Sequence, residues 1–166
     1  TVILLSIFTS GDSYVYTDAD YIVLEREDGV YLADLSDEAA ANKKLCEKNK
    51  TEYGNRYIFN DDQTKLLYFN CTGEDDDETI VGEWWLCDTE TMKKTLVAEN
   101  VDPYIDISSD FKAVLYLKGE DDILCYKAFD EDAIEIATEC WNYLFTADMK
   151  TICYVTETGV FRYMPE

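Results

Sequence analysis

Apolar and polar residues alternate over short stretches of this chain, and the stretches break at small polar corners. Residues 57–59 read Tyr-Ile-Phe, the chain turns through Asn60, Asp61, Asp62 and Gln63, and a continuous apolar run follows at residues 66–69. Alternation over a few residues predicts a half-buried strand, and an unbroken apolar run of this length predicts a strand covered on both faces. The same order returns at residues 104–117 and 143–155. The pattern therefore predicts an all-β protein. The exception is a turn or two of helix near residues 37–44, where Ala39, Ala40 and Ala41 are locally helix-prone.

The corners are in phase with one another. Each places a small polar residue two before an aspartate, as Asn60 and Asp62, Ser108 and Asp110, Thr146 and Asp148, and each places a tyrosine six residues after it, at Tyr68, Tyr116 and Tyr154. Side chains of these types bond to nearby backbone groups and close tight turns, so Asp62, Asp110 and Asp148 are expected to be structural turn formers. Their spacings, 48 and then 38 residues, bracket the ~40–45 residues of a four-stranded repeat unit. A second strand follows each corner run, with Trp85, Leu124 and Phe161 in one phase and Tyr31 in the same phase earlier in the chain. A third and more polar strand comes next at residues 95–99 and 135–138.

The corner with its downstream tyrosine resembles the TolB-type, WD-like β-propeller repeat family, over roughly residues 21–163. The usual form of that corner is Ser-Pro-Asp-Gly. Proline is absent from all three corners here, and Gln63, Phe111 and Met149 take the glycine place. The resemblance implies four-stranded antiparallel blades at residues 13–53, 54–101 and 102–140, with an incomplete one at 141–166. About three and a half to four blades are thus present: either four close here with residues 2–8 as the missing strand, or the chain is part of a larger ring, which is favoured because an open arc leaves unpaired strand edges. Residues 1–12 lie before the repeats. Their apolar segment, residues 2–8 (VILLSIF), reads either as a buried strand or as the remnant of a membrane anchor, being far shorter than the ~18 residues of a span. A tethered, extracytoplasmic setting is expected over a cytoplasmic one.

Charge narrows the partners. Among 166 residues, 36 are acidic and 14 basic, for a net charge of −22. That field repels phosphate backbones and anionic lipid, so nucleic acid is not an expected partner, and membrane contact would come only through an upstream anchor. Histidine is absent, which removes the commonest general base and the commonest metal ligand. The six cysteines show no C-x-x-C pair, and Cys87, Cys125 and Cys153 sit inside apolar runs as small hydrophobes, so zinc and disulfide readings lose support. No phosphate-cradling glycine loop or hydrolase elbow is present. No cofactor, metal or catalytic residue is expected, and the chain is not expected to be an enzyme.

The candidate surface is a series of acidic turns between the second and third strands of each four-stranded unit, just after the apolar run that follows the corner. These are Glu25, Glu27 and Asp28; then Glu74, Asp75, Asp76, Asp77 and Glu78; then Glu120, Asp121 and Asp122; with Glu157 in the fourth place. Such turns on one rim suit a cation or a basic partner, while solvated hairpin turns are the plainer reading. Trp84 and Trp141 stay open as stacking surfaces, and Asn49 and Asn70 head glycosylation-type triplets. The expected function is a non-catalytic binding or interaction domain for a protein or small molecule. The alternative is an accessory propeller of a larger enzyme, such as a serine peptidase, whose catalytic residues lie outside this chain.

Overall fold

The computed structural model describes residues 20–37, 39–47, 56–74, 80–119, 121–146 and 150–165. Among them there are fourteen β-strands, all antiparallel, and no helix. In the segment expected to be helical, the described residues 37 and 39–42 form an irregular connection and Lys43 and Lys44 already belong to a strand. Asp37 accepts the amides of Ala39 on its side chain and Ala40 on its carbonyl, closing a turn before three alanines can propagate a helix.

Strands β1 (Tyr21–Arg26), β2 (Gly29–Asp34) and β3 (Lys43–Cys46) form the first sheet in chain order. The second meander is β4 (Tyr57–Phe59), β5 (Lys65–Glu74), β6 (Ile80–Asp88) and β7 (Lys94–Val101), and the third is β8 (Asp106–Ile107), β9 (Ala113–Lys118), β10 (Ile123–Ala128) and β11 (Ile134–Ala137). These two are continuous by hydrogen bonding, but the junction is a single pair, Val101 with Lys118. With only two residues in β8, the end of β9 extends past it to touch β7. The last sheet is β12 (Cys140–Phe145), β13 (Ile152–Thr156) and β14 (Gly159–Tyr163).

Three apolar cores hold these sheets together, and each is shared by successive sheets. Val30, Leu32 and Leu45 of the first sheet meet Leu66, Tyr68 and Cys87 of the second. Leu67, Phe69, Trp84 and Val97 meet Phe111, Val114 and Tyr116 of the third. Leu115 and Leu124 then meet Cys140 and Ile152 of the last. The reason lies in the period-two geometry of a strand. In β5, Leu66 and Tyr68 point to the preceding sheet while Leu67 and Phe69 point to the next, and all four are buried. An unbroken apolar run is what a strand with neighbours on both faces requires. Each such side chain contributes roughly 1.5–3 kcal/mol of burial.

Strand pairing also corrects two phases read from the sequence. Trp85 pairs with Tyr68, and Cys125, not Leu124, pairs with Tyr116. Trp84 is therefore the counterpart of Leu124 and of Val160. Tyr104 is displaced in the same way. Tyr57 pairs with Tyr68 and Tyr143 with Tyr154, but the position before Asp106 in β8 is Ile105, so Tyr104 is left 61% exposed. A slip of one residue turns a side chain to the opposite face, and no local pattern registers it.

Candidate functional site

Because consecutive strands are antiparallel, the connections gather at two opposite ends of the sheets. One end carries the corners. In the second sheet Gln63 donates its amide to the Asn60 carbonyl at 3.0 Å, and Asn60 Oδ1 accepts the Lys65 amide at 2.8 Å. Asp62 Oδ1 accepts from Asn60 Nδ2, Thr64 N and Thr64 Oγ1. In the third sheet Ser108 Oγ accepts the amides of Lys112 and Ala113 and donates to Asp110 Oδ1 at 2.7 Å. In the last, Thr146 Oγ1 accepts the Thr151 amide at 3.2 Å and donates to the Thr151 carbonyl at 2.9 Å. In all three the small polar residue closes the backbone, and in the first two the aspartate anchors it. Asp148 and Met149 lie outside the described residues.

The departures from glycine have a structural account. Gln63 and Phe111 both adopt φ of 55°, the left-handed region a glycine would use, at a cost of about 1–2 kcal/mol each. Each side chain gives something back. Gln63 Oε1 accepts the amides of Asp20 and Tyr21, at 2.8 and 3.1 Å, fastening the second sheet to the first. Phe111 packs into the core between the second and third sheets, its ring 6.1 Å from that of Phe129. A cleft of about 390 Å³ lies between the two corners, lined by residues 58–62 and 107–111. Its carboxylates Asp62 and Asp110 are held by these turns, and hydroxyl donors keep both below the usual carboxylate range.

The described residues of the acidic turns stand at the other end. Asp28 accepts the Tyr31 phenol at 2.8 Å, and Arg26 lies over the Tyr31 ring. Glu25 accepts the Tyr57 phenol at 3.2 Å. Asp121 and Asp122 use their carbonyls to receive the amides of Glu139 and Cys140, docking the β11–β12 connection against the β9–β10 hairpin. Glu27 and Glu157 are exposed. The side chain of Glu74, and all of Asp75, Asp76, Asp77, Glu78 and Glu120, lie outside the described residues. So do residues 1–19 and Asn49.

Asp102 and Arg56 at this end carry weight that the sequence did not reveal, and they stand with Trp141, which the sequence left open as a stacking surface. Asp102, in the β7–β8 connection, accepts the Tyr104 amide on Oδ1 at 2.7 Å, and burial, with Asp122 nearby, pushes its carboxyl above the usual range. Arg56 lies 4.5 Å over the Tyr104 ring. Trp141, at the start of β12, is 63% exposed. The other indoles are not available for stacking. Trp84 is fully buried with Nε1 donating to the Asp102 carbonyl, and Trp85 packs on the first sheet with Nε1 donating to Glu83. Asn70 lies within β5 and donates to Glu83 across the strand pair.

All six cysteines are free thiols, and burial pushes Cys46 up to about 11. Among the described residues, no three His, Cys, Asp or Glu side chains gather at metal-binding distance, and no helix is long and apolar enough to cross a membrane.

No protein-family model matches the chain, and no curated protein matches it in sequence. Among solved structures the chain is similar to the crystal structure of TolB from Acinetobacter baumannii, at 15% identity and a TM-score of 0.49, over 87% of this chain and 38% of that one. It is also similar to the crystal structure of the eukaryotic initiation factor, at 12% identity and a TM-score of 0.40, over 82% of this chain and 44% of that one. The chain thus spans less than half the length of either. The likeness to TolB concerns the fold alone.

Proposed function

We propose that the chain is a run of β-propeller blades, at residues 13–53, 54–101, 102–140 and from 141 onward, serving as a non-catalytic binding module for a protein. The sharing of every core between successive sheets supports the blade reading, because a blade buries its faces only against its neighbours. The observation that carries the binding reading is the end where Asp121 and Asp122 stand with the exposed rings of Tyr104 and Trp141. Exposed aromatics supply contact area at low entropic cost, and a strongly acidic field steers a basic segment toward them.

Polylysine serves as the probe, followed by fluorescence anisotropy at low and at high salt. Neutralising Asp121 and Asp122 together to Asn, or replacing Tyr104 and Trp141 by Ala, is expected to weaken binding by an order of magnitude at low salt. Asp61→Asn at the opposite end should change it little. Equal losses from both ends would mean that the probe reads net charge alone, and the binding face would be wrongly assigned.

A further inference from the structure

No further inference is drawn: the strongest candidate, the apolar face of the last sheet around Leu144, Val155 and Val160, carries nothing because nothing among the described residues shows what covers it.

Discussion

Ser108 holds its corner through one hydroxyl that serves three partners, and it is 4% exposed. Removing that oxygen orphans two amides at the mouth of β9, whereas removing the Asp110 carboxylate leaves both of them bonded. Ser108→Ala is therefore expected to cost about 1–3 kcal/mol, because the buried Ala113 amide and the part-buried Lys112 amide lose their acceptor. Asp110→Ala should cost less, and urea denaturation of both variants decides the order. Titration at single carboxylates runs in two directions. Asp28, Asp34, Asp62, Asp88 and Asp110 are each lowered, first of all by a hydroxyl donor: Tyr31, Ser36, Thr64, Thr91 and Ser108 respectively. Their contribution is present above the ordinary carboxylate pKa and is lost as pH falls through the lowered values. Asp102 is the opposite case, raised first by burial. Its charged form opposes folding at neutral pH, and protonation relieves that as pH drops. Asp102→Asn keeps an acceptor for the Tyr104 amide and removes the charge. It is expected to raise the melting temperature at pH 7, with the gain shrinking as the pH is lowered. A gain that grew toward acid pH would reverse the sign of the argument.

At the scale of elements, β5 and β6 form the longest ladder, and its irregularities mark where side chains cannot fit. The register shifts between Cys71 and Gly73 and again, on the other side of β6, between Gly82 and Glu83. A Cβ on Gly82 would press against the Asn70 carbonyl oxygen and the Phe69 ring. Neither can withdraw, since one is backbone in the ladder and the other is fully buried beside Trp84, with ring centroids 5.4 Å apart. Gly82→Ala should therefore destabilise by about 1–3 kcal/mol through overpacking, read from the denaturation midpoint with Trp fluorescence as the signal. The strands themselves were legible from the sequence. Runs such as residues 66–69 and 113–117 declare a strand buried on both faces, and the corners declare where it begins. The absent helix near residue 39 was not legible, because one Asx turn at Asp37 outweighs the propensity of three alanines.

At the scale of the molecule, the sheets form a series in which each face is completed by the next. The last sheet breaks the series. Val160 is paired with Val155 as Leu124 is with Leu117, yet Leu124 is fully buried under the last sheet and Val160 is 76% exposed. The two positions make a controlled comparison. Leu124→Ser is expected to cost at least about 2–5 kcal/mol, as loss of a core side chain does. Val160→Ser should stay within about 0.5 kcal/mol, as an exposed site does. A comparable loss at Val160, measured by thermal unfolding, would show that this face is covered in solution.

The class of elements and the turn bonding of the corners at Asn60 and Ser108 were legible in the chain, because strand period and turn bonding are local properties of consecutive residues. The sequence also carried the sign of the electrostatic field, which is a sum over the chain. Which residue of each adjacent pair faces inward depends instead on the packing of the sheets. Trp84 lies between the second and third sheets and Trp85 between the first and second, while Ile105 is partly buried and Tyr104 is exposed. Cross-strand register sets these choices, and register is fixed by partners tens of residues away. The half-buried Asp102 belongs to the same class. Its environment is made by Trp84, Arg56, Tyr104 and Asp122, drawn from separate strands and connections, and no window of sequence contains them together.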